Sequence, residues 1–369
     1  MTHRRISCVV GTRPEAIKMA PVILALRDAP WAEVRVLATA QHRDMLDQVL
    51  DLFCIEPDLD LDIMRDNQSL PQLTARLVTA LDEALAAEAP DLVLSQGDTT
   101  TVFITALACF YRAIPHGHVE AGLRTGDKRY PFPEEINRAL ASRLSDLHFA
   151  PTERARENLL AEGIPAGHIH VTGNTVIDAL LATVKKRVPI GVDLDPAKRL
   201  ILVTVHRRES FGEPFLEICQ AIRALADRYD DVEFLYPVHP NPNVKQVAER
   251  ELAGHPRIRL CPPLSYGSFV SAMNAAQLIL TDSGGVQEEA PAIGKPVLVL
   301  RDETERPEAV ESGAAKLIGL HRDRIIAAAR ELLDDDIAYR RMSKGASIYG
   351  DGKAAKRIVD VLRAHLCRE

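Results

Sequence analysis

Thr281-Asp282-Ser283-Gly284-Gly285-Val286-Gln287-Glu288-Glu289 follows directly on the run Gln277-Leu278-Ile279-Leu280. A short apolar run, a small turn with paired glycines and a helix-compatible stretch read as strand, loop and helix. The first backbone N–H groups of such a helix have no partner inside it and point at the loop. Two glycines let an anionic group come close to that backbone. Such a turn is suited to holding a diphosphate. Glu289 is spaced to return a carboxylate toward a neutral polyol such as a ribose. The turn alone points to a nucleotide or sugar-phosphate ligand; the alternative is a βα turn that needs glycine only for its geometry.

Working outward, strand-like and helix-like segments alternate almost throughout the chain. Ile6–Val10 reads as a strand, Glu15–Arg27 as a helix, Val34–Thr39 as a strand, Leu70–Glu88 as a long amphipathic helix and Asp91–Ser95 as a buried strand. Thr100–Arg112 reads as a helix, Pro115–Glu120 and Leu147–Ala150 as strands, Glu153–Glu162 as a helix and His168–Thr172 as a strand. Lys186 to Lys198 interrupts this with two prolines, a glycine and several charges, and reads as a linker. A second series runs from strand Leu200–Val205 to helix Arg322–Leu333. This βαβα pattern predicts an α/β fold of two doubly wound, Rossmann-type domains, 1–185 and 199–350, with parallel sheets covered on both faces. The terminal helix within 353–369 can pack on either domain, the first included. Two such domains on one linker imply a cleft, and open α/β sheets bind ligands at the carboxyl ends of their strands.

The 369 residues suit two domains, and 46% hydrophobic with 26% charged residues is ordinary globular composition. A net charge of −7 gives no reason to expect nucleic acid or an anionic membrane as partner. No apolar stretch approaches the roughly 20 residues that span a bilayer. Met1-Thr2-His3-Arg4-Arg5 leads straight into a short strand, which reads as no signal peptide. Cys8, Cys54, Cys109, Cys219, Cys261 and Cys367 are scattered without metal-type spacing. They read as free thiols, and the expected location is the cytoplasm.

The residues at the strand ends carry the chemistry. Gly11-Thr12-Arg13-Pro14-Glu15-Ala16-Ile17-Lys18 has one glycine and is no dinucleotide fingerprint. Pro14 suits a helix start, and Arg13 and Lys18 beside a helix N-terminus make a second anion site. Gln96-Gly97-Asp98-Thr99-Thr100 ends another strand; an Asp there also serves as a helix cap. His118-Val119-Glu120-Ala121-Gly122 puts a carboxylate at an apolar strand end, and Pro133-Glu134-Glu135 opens a helix with acids that its dipole also favours. Asp98, Glu120 and Glu134 are three candidate acid–base groups in one domain. The second domain opens with His206-Arg207-Arg208, and His239 and Arg306 follow later strands. His116 and His118 alternate on a strand without a third ligand nearby, so no metal site is expected.

Together these segments resemble the non-hydrolysing UDP-N-acetylglucosamine 2-epimerases. The resemblance rests on Gly11–Lys18, Gln41–Arg43, Gln96–Thr100, His118–Thr125, Pro133–Arg138, His206–Gly212, Asp282–Glu289 and Arg301–Glu308, in order over nearly the whole chain. It implies a glycosyltransferase-B-like fold, a homodimer, and reversible interconversion of UDP-N-acetylglucosamine and UDP-N-acetylmannosamine without a cofactor. It implies that Asp98, Glu120, Glu134 and His206 are catalytic. Arg13, Lys18, Phe269, Ser283, Gly284, Gly285, Glu289 and Arg306 match the nucleotide-binding positions. Gln41, His42, Arg207 and His239 match a second, activating substrate site of some members, but Asp44 and Asn67 stand where those members carry Gln and Arg. Which carboxylate is base and which acid stays open. On the same residues, a hydrolysing epimerase, an epimerase of an oxidised or diamino UDP-sugar, and a non-enzymatic UDP-sugar binder are the rival readings.

Overall fold

A computed structural model describes residues 3–39, 43–65, 67–207, 210–304, 306–345 and 347–367. Its first half alternates strand and helix as β1 (Arg4–Val10), α1 (Arg13–Arg27), β2 (Ala32–Ala38), α2 (Arg43–Leu52), β3 (Leu59–Asp60), α3 (Leu70–Glu88), β4 (Leu92–Gln96) and α4 (Thr100–Arg112). It continues with β5 (His116–Val119), α5 (Glu134–Leu144), β6 (Leu147–Ala150), α6 (Glu153–Ala161), β7 (Ile169–Val171) and α7 (Thr175–Lys186). The second half runs β8 (Arg199–Thr204), α8 (Glu213–Arg228), β9 (Val232–Pro237), α9 (Pro242–Leu252), β10 (Ile258–Cys261), α10 (Tyr266–Ala275) and β11 (Leu278–Thr281). It ends with α11 (Gly284–Ala292), β12 (Val297–Val299), α12 (Pro307–Glu311), β13 (Ala315–Leu317), α13 (Arg322–Asp334), α14 (Asp336–Met342) and α15 (Ala354–Leu366).

The chain divides into two compact units, Met1–Ala179 with Tyr349–Glu369, and Leu180–Ile348. The first unit holds a parallel sheet ordered β3-β2-β1-β4-β5-β6-β7 and the second a parallel sheet ordered β10-β9-β8-β11-β12-β13. Both faces of a parallel sheet are covered by helices, so its strands are apolar without alternation. Ile201, Leu202 and Val203 of β8 and Leu278, Ile279 and Leu280 of β11 are all fully buried. Helices supply single stripes: Leu73, Leu77, Leu81 and Leu85 of α3 recur every fourth residue and pack on Val9 and Val93. Each such leucine contributes roughly 1.5–3 kcal/mol by leaving water.

The segment 186–198, which reads as a linker, packs on the second unit. Val188 lies against Gly267, Ser268 Oγ donates to Pro189 O at 2.8 Å, and Asp195 N donates to Glu233 Oε2 at 2.9 Å. Helix α15 belongs to the first unit. It buries Ala354, Ile358 and Leu362, and Asp178 caps it by accepting from Ala354 N at 3.2 Å and Ala355 N at 3.0 Å.

In each sheet the strand order reverses once, between β1 and β4 and between β8 and β11. Loops leaving a parallel sheet on either side of such a reversal diverge and open a crevice at the strand ends. Gly11–Arg13 and Gly97–Thr99 flank the reversal in the first unit, Val205–Arg207 and Asp282–Gly284 that in the second.

Candidate active site

In the first unit, the turn after β1 is closed by a capping box. Thr12 caps α1, and Glu15 Oε2 accepts from Gly11 N at 2.5 Å and Thr12 N at 3.0 Å. A Cβ on Gly11 would lie 2.5 Å from Thr39 Oγ1 and 2.8 Å from Thr101 Oγ1, so only glycine fits. Glu15 also accepts from Thr99 Oγ1, which joins this turn to the loop after β4. Burial pushes the Glu15 carboxyl up to about 7, against the three hydrogen bonds that favour its charge. Arg13 is the first residue of α1, and Lys18 points back from its second turn.

Glu120 follows β5 with φ of 63° and is 8% exposed. Left-handed backbone costs a non-glycine residue of order 1 kcal/mol or more, and here it aims a carboxylate into the strand-end crevice. Lys18 Nζ lies 2.5 Å from Glu120 Oε1 and 2.7 Å from Oε2. Gln96 Nε2 donates to Oε2, and Asn174 Nδ2 donates to Oε1 at 2.8 Å. One cation and two amides therefore surround a carboxylate that all of them favour as an anion.

The cap of α4 is Thr99, whose side chain accepts from Val102 N at 3.4 Å. The neighbouring Asp98 side chain instead faces Arg138 Nη1 at 3.6 Å. Burial raises the Asp98 carboxyl; Arg138 opposes this, Glu120 adds to it, Lys18 opposes and Glu134 adds. Asp98 is thus near enough to sense Glu120, Glu134 and Lys18. Glu134 is the half-buried first residue of α5. Its neighbour Glu135 works for the scaffold: it accepts from Thr125 N at 3.1 Å and Gly126 N at 3.0 Å and pairs with Arg138 at 2.9 Å.

In the second unit, Asp282 is fully buried at the reversal. Its Oδ2 accepts from His206 N at 2.9 Å, Arg207 N at 2.8 Å and Ser210 Oγ at 3.3 Å, so one side chain fixes the loop after β8. Its Oδ1 lies 3.3 Å from His206 Nδ1. Burial lowers the His206 imidazole, Asp282 raises it, and His239 and Arg207 lower it. The His206 and His239 rings stack at 5.8 Å.

Helix α11 begins at Gly284 with Ser283 as its cap residue, and the Ser283 side chain makes no capping bond. Among the described residues, a Cβ on Gly284 would meet only the Arg207 guanidinium, at 3.7 Å, and one on Gly285 only Ser283 Oγ, at 3.9 Å. The protein's own packing does not demand these glycines, which leaves the helix N–H groups open to an anion. Tyr266 Oη donates to the buried Glu289 at 2.9 Å, and Phe269 is half-buried on the same helix as Tyr266. Arg306 pairs with Glu288, one residue before Glu289.

Of the sequence candidates, Asp98, Glu120, Glu134, Lys18 and Arg13 lie at the strand ends of the first unit. His206, Arg207, His239, Ser283, Gly284, Gly285, Glu289, Phe269 and Arg306 lie in the second. Gln41 and His42 fall outside the described residues. Sequence reasoning passed over Gln96 and Asn174 as partners of Glu120, Arg138 as partner of Asp98, and Asp282 as the anchor of the His206 loop. The Gly173-Asn174 pair, separated by one residue from the end of β7, was the available signal for Asn174. His116 and His118 are structural: His116 lies between Ser95 Oγ at 2.9 Å and Ser145 Oγ at 2.8 Å, and His118 Nε2 reaches Gly97 O at 2.7 Å. Burial lowers both, His118 to about 4, so both stay neutral. Among the described residues, no three His, Cys, Asp or Glu side chains are grouped to hold a metal, and no helix is long and apolar enough to cross a membrane.

Residues 24–363 match the family described as UDP-N-acetylglucosamine 2-epimerase. The UDP-N-acetylglucosamine 2-epimerase of Escherichia coli strain K12 is 51% identical over 369 residues, covering 97% of this chain and 98% of the relative. The crystal structure of UDP-GlcNAc 2-epimerase from Neisseria meningitidis bound to UDP-GlcNAc has a TM-score of 0.88 at 46% identity, covering 98% of this chain and all of that one. A glycotransferase of kitacinnamycin, 13% identical with a TM-score of 0.67 over 99% of this chain and all of that one, shares the fold alone. The two Rossmann-like units are those of the glycosyltransferase-B class. On a match that spans nearly its whole length, this chain belongs to the UDP-N-acetylglucosamine 2-epimerase family.

Proposed function

We propose that the chain interconverts UDP-N-acetylglucosamine and UDP-N-acetylmannosamine by eliminating UDP to a glycal-type intermediate and adding it back. The observation that carries this reading is the Glu120 carboxyl, which contacts Lys18, Gln96 and Asn174, all donors that favour its anion, beside Asp98, whose carboxyl burial raises. Two carboxyls with opposite protonation tendencies in one crevice suit a base and an acid.

The proton on carbon 2 of the sugar is not acidic, because no carbonyl adjoins it. Breaking the anomeric C–O bond first, or together with proton loss, builds positive charge next to carbon 2 and makes that proton removable. The C2–H electron pair becomes the C1–C2 double bond, a carboxylate takes the proton, and the C1–O electron pair leaves with UDP. In the return step a proton is delivered to the opposite face of carbon 2, and a diphosphate oxygen re-forms the bond to carbon 1. Lys18 and Arg13, the open N-terminus of α11, and Arg306 are the donors that stabilise the departing diphosphate. His206, held by Asp282, adds a neutral imidazole. Glu289 and Phe269 serve the nucleoside. The exchange is redox-neutral, so it calls for no cofactor.

Incubation with UDP-N-acetylglucosamine in heavy water, followed by proton NMR, tests this. UDP-N-acetylmannosamine carrying deuterium at carbon 2 supports it. Free N-acetylmannosamine with UDP replaces it with the hydrolysing reaction. Binding without turnover sends the reading to modified UDP-sugars or to a binding protein.

The working form we propose is a homodimer in the cytoplasm. Phe110 and Tyr111 of α4 are 63% and 67% exposed, and Ile136 and Leu140 of the adjoining α5 are exposed as well. Large apolar side chains left in water on neighbouring helices fit contact with a second copy. Light scattering of the Phe110→Asp variant checks it: a mass that stays dimeric removes this face from the interface.

A further inference from the structure

Glu120 is held by residues from separate parts of the chain, and one of them is itself tied to a distant segment. Asn174 is buried. Its Oδ1 accepts from Val176 N at 3.1 Å, and its Nδ2 donates to Glu120 Oε1 at 2.8 Å. The two ends of the amide are thereby distinguished: a flipped amide would set an oxygen against the carboxylate and an NH2 against a backbone N–H. The Asn174 backbone N–H donates to Tyr349 O at 2.6 Å. A Cβ on Gly350 would lie 3.4 Å from both the nitrogen and the oxygen of the Asn174 backbone, and one on Gly173 would lie 3.3 Å from Gly350 Cα. Around this contact, Arg357 donates to Thr172 O at 3.0 Å and Asp178 caps α15. The chain leaves the first unit after Ala179 and returns to it at Tyr349. The peptide that carries the Glu120 donor is therefore fastened to the point of re-entry.

We propose that Asn174 is a positioning residue for the Glu120 carboxylate, and that its contact with Tyr349 and Gly350 sets the amide's orientation. The inference rests on the assignment of Glu120 to proton transfer given above. Asn174 acts through Glu120 and takes no proton itself. Its hydrogen bond favours the charged carboxylate and engages one lone pair of Oε1. Besides Asn174, the charged and titratable groups that act on Glu120 include Lys18 of α1, in direct contact, Asp98 after β4 and the buried His118 of β5. Gln96 of β4 adds a neutral donor.

The test is the pH profile of kcat/KM for epimerisation in the purified full-length enzyme, with Glu120→Gln measured alongside. Asn174→Ala is expected to lower kcat about tenfold at neutral pH while KM changes little, since one hydrogen bond to a charge is lost. Its acidic limb should move up by about one pH unit, because an anion that loses a donor binds its proton more tightly. Asn174→Asp, which sets a second carboxylate against the first, should move it further. Gly350→Ala leaves the Asn174 side chain in place but puts a Cβ against its peptide and strains the backbone there, where φ is 148°. It should move the limb in the same direction, and the double variant with Asn174→Ala should show no further shift, as expected of two changes acting through one contact. A purely structural Asn174 would lower thermal stability and leave the limb in place, and that result overturns the proposal. If Asn174→Ala does not fold, Gly350→Ala decides alone, and an unmoved limb again overturns it. If instead Glu120→Gln turns over normally, the assignment of Glu120 fails, and the inference falls with it for that separate reason.

Discussion

Glu15 and Glu120 are both buried carboxyls in the first unit, both stand near the strand ends, and both accept several hydrogen bonds. Their donors differ in kind. Glu15 is held by two backbone N–H groups of its own capping box and by the Thr99 hydroxyl, all of them neutral. Burial wins over these, and its carboxyl rises to about 7. Glu120 is held by the Lys18 ammonium and by two side-chain amides reaching in from β4 and from the loop after β7. A charge partner inside a crevice offsets desolvation in a way that neutral donors do not. The second kind of surroundings keeps a carboxylate ready to accept a proton as an anion, whereas a carboxyl that fastens two loops can do with the first.

The comparison breaks most readily on turnover. Glu120→Gln should lower kcat by about 10²–10⁴-fold, the usual contribution of a positioned acid or base, with the protein still folded. Measured by initial rates beside Glu15→Gln, an equal loss in both variants would erase the distinction. Asp98→Asn belongs with Glu120→Gln and should fall by a similar factor. A near-normal rate there removes Asp98 from the mechanism.

The same contrast explains what the sequence discloses. The alternation of apolar runs with amphipathic helices revealed two doubly wound units, because parallel strands buried on both faces read as largely apolar runs. The strand-end motifs held Asp98, Glu120, His206 and Gly284, since position after a strand is a local property. Thr12-x-x-Glu15 is a capping-box pattern readable without any structure. The Glu120 cradle is another matter: Lys18, Gln96 and Asn174 lie 102, 24 and 54 residues away in the chain. Only the order of strands brings these ends together. Asp282 was hidden inside the glycine turn for a similar reason, because its partners His206 and Arg207 belong to the loop after β8.

Asp282 extends the comparison to the second unit, where it plays the part that Glu15 plays in the first. Asp282→Ala strips the acceptor from two backbone N–H groups and the Ser210 hydroxyl. We expect a loss on the order of 3 kcal/mol in urea unfolding, as a buried unpaired donor costs about 1–3 kcal/mol. A variant as stable as the parent would mean that Asp282 is there for His206 alone. Arg306→Ala should have a smaller effect, weakening UDP about tenfold by calorimetry, or about 1.4 kcal/mol. Glu288→Gln sharpens this, because it breaks the same ion pair and leaves the guanidinium in place. If Arg306 touches the diphosphate, affinity falls much more in the arginine variant. Equal losses would make Arg306 a support for Glu288 and α11.

The smallest expected change in rate is that of Glu15→Gln, and it discriminates through pH. The glutamine oxygen can take the place of Oε2, which accepts from Gly11 N and Thr12 N, while its NH2 takes the place of Oε1 and donates to Thr99 Oγ1. A protonated Glu15 makes the same pattern, so turnover should stay within about threefold of the parent. The native carboxyl sits near 7 against 4.5 for the free side chain. The native state therefore binds more protons than the unfolded one between those values, and stability falls as pH rises through that window. Across it, this one group should remove on the order of 3 kcal/mol from the parent. Glu15→Gln lacks that loss: its stability should stay flatter from about pH 4.5 to 7, and it should exceed the parent above the window. Denaturant melts at several pH values check the slope. Parallel curves for parent and variant would mean that Glu15 is held as an anion like Glu120, and that neutral donors suffice to keep a buried carboxylate charged in this fold.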